Sequence, residues 1–335
     1  MRFERLITTV DSHTEGMATR VITGGIPNIP GKTMAEKRDF MKQNFDHLRT
    51  AVLNEPRGAH VYGCIMTPPV TDEAAFGAIW MRRGEAVYSD MCGHATMGVA
   101  TTAVEMGIVE PVEPVTEMVI DVPAGIVHAK VNVENGKAKS VSIQNVPSFH
   151  YQTSIIQVPG LGKLSVDIAF GGNTIAIVEA KDIGIETTIA GITRSRDLIV
   201  QIIESINEQI EIQDPEKGPV KMAKTGIVIS DKATNPKANA KNIAVTKDLF
   251  FDRSPCGTGT SGKLATLYAK GELDLGQTFI AESIIGSLFH AKLIREIEVG
   301  GKMAVVPELT GRVFITGMHQ FTIDPDDPFK YGYVL

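Results

Sequence analysis

Two segments of the chain share one layout, and that duplication constrains the fold more than any other feature: "CGHATMGVATTAVEMG" from Cys92 and "CGTGTSGKLATLYAKG" from Cys256. Each opens on Cys-Gly and passes through small and hydroxyl residues suited to capping a helix. An apolar stripe follows (Met97, Ala100 and Val104; Leu264, Leu267 and Tyr268), and a glycine closes each segment, Gly107 or Gly271. The step from cysteine to closing glycine is 107 − 92 = 15 and 271 − 256 = 15. The two cysteines stand 256 − 92 = 164 positions apart in 335 residues, so the spacing predicts a duplicated α/β domain with one cysteine-headed helix per copy.

The rest of the chain fits a two-domain α/β protein. Short β-type runs ("RLITTV", "GCIMTPP", "EMVIDVP", "VSIQNV", "IAIVEA", "GIVIS", "AVVPELT") recur in both halves between Gly, Pro and Asn turn signals. A helix is expected over Met34–Val52. Another is expected over "RSRDLIVQIIESINEQIEI", where Leu198, Ile202, Ile203, Ile206 and Ile210 recur at three- and four-residue steps. No low-complexity linker marks a boundary. Symmetry places it at the proline-containing "DVPAG" of 121–125, giving a first domain of 1–122, with 312–335 returning to it, and a second of 123–311.

Charge and cysteine usage narrow the class. Lys and Arg total 33 against 39 acidic residues, a net charge of −6, and no basic block tracks a phosphate backbone, so nucleic acid is not an expected partner. The opening "MRFERLITTVDSH" lacks a signal-peptide core, and no apolar run reaches membrane-spanning length, so a cytoplasmic protein without membrane contact is expected. Three cysteines with no C-x-x-C pair argue against a disulfide framework or a cysteine-rich zinc site, and His13 and His60 lack metal-ligand spacing, so no metal is expected.

A thiol at a helix N-terminus lies at the positive end of the macrodipole beside unpaired N–H groups, which lowers its pKa from about 8.5. The same N–H groups bind anions, and Gly93, Gly257 and Thr258 let a carboxylate approach the backbone. Two such thiols suit proton removal beside a carboxylate, one thiolate taking the proton and the opposite thiol returning one. N–H donors around the carboxylate stabilise the enolate-like centre, so the chemistry requires no metal or organic cofactor. His94 and Asp252 are placed to hold an ammonium group, which specifies an α-amino acid; the plainer readings are a packed histidine and a helix cap. Cys64, inside an apolar run, reads as a small buried hydrophobe. A nucleotide-binding reading rests on Gly257, Gly259 and Gly262 as G-x-G-x-x-G and on a partial P-loop, but Leu264 stands where a P-loop needs Ser or Thr.

These residues resemble the proline racemase family, which also holds 4-hydroxyproline 2-epimerases and trans-3-hydroxyproline dehydratases. The resemblance spans the chain through "DSHTEGMATRVITGGIPNI", "EPRG" at 55–58, "MCGHATMG" at 91–98, "DRSPCGTGTSGKLATLYAKGEL" and "DPFKYGYVL". It implies two similar diaminopimelate-epimerase-like domains, each a mixed sheet wrapped on a central helix, with the active site in the interdomain cleft. It also implies a homodimer and cofactor-independent racemisation of proline, the alternatives being 4-hydroxyproline 2-epimerisation or a broader amino-acid racemase. By motif position, Cys92 and Cys256 are the implied acid–base pair, and Gly93, His94, Asp252, Gly257 and Thr258 the implied substrate binders. The dehydratases carry threonine at the second cysteine, so Cys256 favours stereoinversion. The chain departs from the family's H-T-A-G-E at His13–Met17 and from C-G-H-G at Ala95. The phenylalanine-lined ring pocket of proline racemases aligns with Tyr62, Trp80 and Thr246, and a hydroxyl at Thr246 is expected to donate to a ring hydroxyl.

Overall fold

The structure, a computed structural model, describes residues 3–58, 62–84, 87–215, 218–220, 226–247 and 250–334. Internal contacts divide the chain into two compact units, 1–143 with 311–335, and 144–310. The expected boundary at 122/123 is corrected. Val122 pairs with Gly125 across a tight turn at Pro123 and Ala124, so the proline marks a hairpin and the second unit opens at 144.

The first unit runs β1 (Arg5–Thr14), β2 (Met17–Gly24), α1 (Met34–Asn44), α2 (Asp46–Leu53), β3 (Tyr62–Thr67), β4 (Phe76–Arg82), β5 (Val87–Ser89), α3 (Gly93–Glu105), β6 (Val115–Val122), β7 (Gly125–Glu134) and β8 (Lys137–Gln144). The second runs β9 (Phe149–Val158), β10 (Gly162–Phe170), β11 (Thr174–Glu179), α4 (Ala180–Ile183), α5 (Ile189–Arg194), α6 (Arg196–Gln209), β12 (Ile212–Asp214), β13 (Gly218–Val220), β14 (Ile227–Asp231), β15 (Ala240–Val245), α7 (Gly257–Ala269), β16 (Thr278–Glu282), β17 (Leu288–Val299) and β18 (Lys302–Gly311). The last strand, β19 (Val313–Ile323), rejoins the first unit.

The first six strand pairings follow the same parallel and antiparallel order in both units. The first sheet reads β19-β1-β2-β3-β4-β6-β7, antiparallel except for the parallel pairs β2–β3 and β4–β6. The second reads β9-β10-β11-β14-β15-β16-β17-β18, with parallel pairs β11–β14 and β15–β16. Parallel neighbours need a crossover. In each unit the first crossover carries the amphipathic helices and the second carries a cysteine-headed helix. The copies differ at one edge: β9 precedes its partner in sequence, whereas β19 comes from the C-terminus.

Each sheet is covered on both faces. Ile7, Ile22, Ile65, Ile79 and Ile323 pack with Met34, Met41, Leu48 and Leu53 of α1 and α2. In the second unit Val166, Ile168, Val178, Ile229 and Ile243 pack with Ile199, Ile202, Ile203 and Ile206 of α6. Alternate strand residues face the cysteine-headed helix instead, Ser12 and Thr19 lying against Gly98 of α3, and Ala169 and Ile175 against Gly262 of α7. At the start of α6 it is Ile199 that is fully buried, as Ile202 is one turn on, while Leu198 is only partly buried. The single helix expected over Met34–Val52 is broken at Phe45 (φ −133°), where the chain leaves helical geometry and packs the ring on the core. Among the described residues no helix is long and apolar enough to cross a membrane.

Candidate active site

α3 and α7 are built alike from end to end. Each has 13 residues, Cys92 and Cys256 at their N-caps, and Met106 and Lys270 at their C-caps. Gly107 (φ 66°) and Gly271 (φ 72°) take the left-handed conformation that the C′ position of a Schellman motif requires. Ile108 N–H donates to Ala103 O at 2.8 Å and Glu272 N–H to Leu267 O at 2.8 Å, closing both motifs. At the other end, the N–H of Thr96 donates to Cys92 O (2.9 Å) and that of Thr260 to Cys256 O (2.8 Å). The helices fix where each thiol emerges: beside N–H groups with no helical acceptor, at the positive end of the dipole.

Around Cys92 the structure gathers Gly93, His94 and Tyr62. Cys92 is extended (φ −149°, ψ 103°) and buried, its Sγ 3.5 Å from His94 Nδ1. His94 is buried, its ring edge-to-face with Tyr62 at 4.9 Å, and Thr14 Oγ1 donates to His94 O at 2.7 Å. Tyr62 and Cys64 project from the same face of β3, and Trp80 stands opposite Cys64 on β4. Burial, and then the charge on Cys92, push the Cys64 thiol well above its ordinary range, so it stays protonated. Trp80 is 0 % exposed, and its Nε1 has no hydrogen-bond partner among the described residues. It lies in the sheet interior, one strand beyond Tyr62.

Around Cys256 the structure gathers Asp252, Gly257, Thr258 and Gly259. Cys256 has φ 65° and ψ 111°, a conformation L-residues rarely adopt. Its thiol folds over the helix start, and Gly259 N–H donates to Sγ at 3.2 Å. Gly259 permits this, since a Cβ there would lie 3.3 Å from that sulfur. Asp252 Oδ1 accepts from Ser254 N–H (2.9 Å) and Ser254 Oγ (2.8 Å), and Cys256 N–H donates to Ser254 Oγ at 3.2 Å. Asp252 is therefore not the helix cap; it anchors the turn that presents the cysteine. Gly257 is buried and Thr258 half-buried at the helix start.

The hydroxyl of Thr246, expected to donate to a ring hydroxyl, donates to Phe250 O at 2.9 Å. Sequence reasoning missed Ser254 and Thr14, although the D-x-S spacing in "DRSPC" is the signature of an Asx turn. His60 lies outside the described residues.

Comparison with known proteins gives a consistent picture. The family model for proline racemase matches residues 9–334. A proline racemase from Clostridioides difficile is 45% identical over 337 residues, covering 100% of both chains. A 4-hydroxyproline 2-epimerase from Streptosporangium roseum is 44% identical over 342 residues, again covering 100% of both. The crystal structure of a hydroxyproline epimerase from Agrobacterium vitis with bound trans-4-hydroxy-L-proline superposes with a TM-score of 0.91 at 31% identity, covering 100% of this chain and 96% of that one.

Proposed function

Because the chain belongs to the proline racemase family, we propose that it inverts the α-carbon of proline by two-base proton transfer between Cys92 and Cys256, without a cofactor. One thiolate removes the α-proton from one face, leaving an enolate-like centre. The other thiol delivers a proton to the opposite face, so each turnover leaves the pair with its protonation reversed. Gly93, Gly257 and Thr258 offer N–H groups to the carboxylate, and His94 and Asp252 serve the amine. The observation that carries this reading is the repetition of a cysteine N-cap on equivalent helices of two units with the same strand pairing. One base on one face suffices for elimination, whereas stereoinversion needs two.

A second reading, 4-hydroxyproline 2-epimerisation, is favoured by Thr246. Its hydroxyl donates to Phe250 O, a hydroxyl oxygen can also accept from a ring hydroxyl, and it stands, by the resemblance, where proline racemases carry phenylalanine. Chiral chromatography after incubation with L-proline and with trans-4-hydroxy-L-proline, no cofactor added, tests both readings. Faster inversion of proline supports the first, and faster inversion of the hydroxylated ring the second. Inversion of neither, with a thermal shift on adding ATP or NAD, would move the assignment to nucleotide binding.

A further inference from the structure

The chain leaves the first unit after Ile143 and returns to it after Thr310. The second residue past each crossing, Asn145 or Arg312, makes hydrogen bonds within the unit it has entered. Arg312 O accepts from Glu15 N–H (3.1 Å), and the Arg312 N–H and Nε both donate to Glu15 Oε1 (3.0 and 2.9 Å). Glu15 is held at φ 45° in the turn between β1 and β2, and only 5% of it is exposed. Its neighbour Thr14 donates to His94 O, two residues beyond Cys92. In the second unit, Asn145 Nδ2 donates to Gly171 O (3.0 Å) and to Ser261 Oγ (2.8 Å) of α7. Gly171 lies in the turn between β10 and β11 and presses on Thr258 O, two residues beyond Cys256. A Cβ at 171 would lie 2.3 Å from that oxygen, so the main chain itself rests on the helix start.

One arrangement is thus built twice with different chemistry, an ion pair in the first unit and an amide in the second. β1–β2 and β10–β11 are equivalent antiparallel hairpins, and each lays its turn on the carbonyl two residues past a cysteine. Each turn is held in place by the residue that follows a crossing. We propose that Arg312 and Asn145 are positioning residues for Cys92 and Cys256, each fixing a helix head through the hairpin turn that rests on it. Neither is a catalytic residue, since each acts through main chain that it holds. The consequence for turnover rests on the two-thiol reading above: a head that shifts against its turn displaces both its sulfur and its N–H donors, and small displacements of reacting groups lower kcat steeply. Arg312 is 63% exposed, so its guanidinium adds little to the packed interior and its removal tests the contact to Glu15 with the fold intact.

Alkylation by iodoacetamide, read cysteine by cysteine in tryptic peptides, tests the proposal with no substrate present. Loss of a hydrogen bond that supports a head should raise its local opening, and with it the labelling rate, about 5-fold. Arg312→Ala should therefore speed labelling of Cys92 and leave Cys256 at the wild-type rate, and Asn145→Ala should do the reverse. Arg312→Lys, which keeps a cation beside Glu15, should label like the wild type. Cys64, fully buried with a protonated thiol, is the internal reference, because it is labelled only when the first unit opens as a whole. Should Asn145→Ala fail to fold, Ser261→Ala, which removes only the 2.8 Å contact, carries the same prediction for Cys256. In a parallel assay, kcat for proline inversion should fall in Arg312→Ala and Asn145→Ala with KM near the wild-type value. The proposal is overturned if Cys64 accelerates together with Cys92 in Arg312→Ala, if both helix-head thiols respond alike to either variant, or if neither labelling rate moves. It is also overturned if the wild type inverts proline and neither variant loses kcat. Selective labelling in a protein that inverts no proline would strike the function proposed above and support the positioning.

Discussion

Cys92 and Cys256 hold the same place in two copies of one topology, yet their surroundings differ. Cys92 sits in relaxed extended backbone, buried, its sulfur toward the His94 ring. Cys256 is held at positive φ, only half-buried, its sulfur turned onto the helix start, where Gly259 N–H donates to it. The difference traces to two positions. Ala95 carries a Cβ where Gly259 has none. Two residues before each cysteine, Asp90 turns its carboxylate to Arg38, whereas Ser254 feeds the Cys256 N–H and is held by Asp252. One scaffold thus supplies a thiol beside an imidazole and a thiol beside a backbone donor. The two-base mechanism proposed above, in which the two sulfurs exchange roles at each turnover, does not require them to have equal pKa values.

The largest effect expected is functional and symmetric. Cys92→Ser and Cys256→Ser should each lower the rate of proline inversion by at least about 10³-fold, within the range positioned acid–base groups supply, with circular dichroism unchanged. Near-normal turnover in either variant would break the pairing of the two heads.

Next, Ser254→Ala should destabilise the second unit by about 1 kcal/mol, since it removes the acceptor of the half-buried Cys256 N–H and one donor to Asp252. Denaturant unfolding measures this, and Asp90→Ala, the same position in the first unit, should cost less because its carboxylate is partly exposed.

A smaller, sharper test is Gly259→Ala. The added methyl crowds Sγ, so the thiolate loses a hydrogen-bond donor and its pKa rises, with turnover falling about 10-fold at neutral pH. Thiolate absorbance against pH reads the shift, and the reciprocal Ala95→Gly should leave Cys92 unmoved.

The far ends of the two helices differ as well. Lys270 Nζ lies 2.6 Å from Asp167 Oδ2, whereas α3 has Met106 at its C-cap. Burial alone raises the Asp167 pKa, but hydrogen bonds from His150, Lys270 and Thr153 outweigh it and hold the carboxyl below its usual range. A depressed carboxylate contributes stability that is present above its unfolded pKa, about 4, and is lost as pH falls through the folded value. Asp167→Asn should therefore cost about 1 kcal/mol at neutral pH, and the gap from wild type should narrow as urea titrations are repeated at progressively lower pH below about 4.

The matching parts of this comparison were legible in the sequence and the differing parts were not. Cys-Gly starts and closing glycines are local signals, so both helices and both Schellman ends followed from spacing. The return of 312–335 to the first unit was part of the expected domain division, but the register of β19, which pairs residues some 300 positions apart such as Leu6 with Thr322, is reported by no periodicity. "DVPAG" misled because proline serves a hairpin turn as readily as a linker. The positive φ of Cys256 was hidden because the conformation is imposed by the Asp252–Ser254 turn and the glycine at 259, not by cysteine itself.

The most direct test of the paired heads is isotopic. L-proline is incubated with the enzyme in D2O and sampled at low conversion. If the two sulfurs work from opposite faces, deuterium enters the α-carbon of newly formed D-proline while recovered L-proline stays unlabelled. Deuterium appearing in recovered L-proline as fast as D-proline forms would mean that a single base takes and returns the proton, and the account would fail.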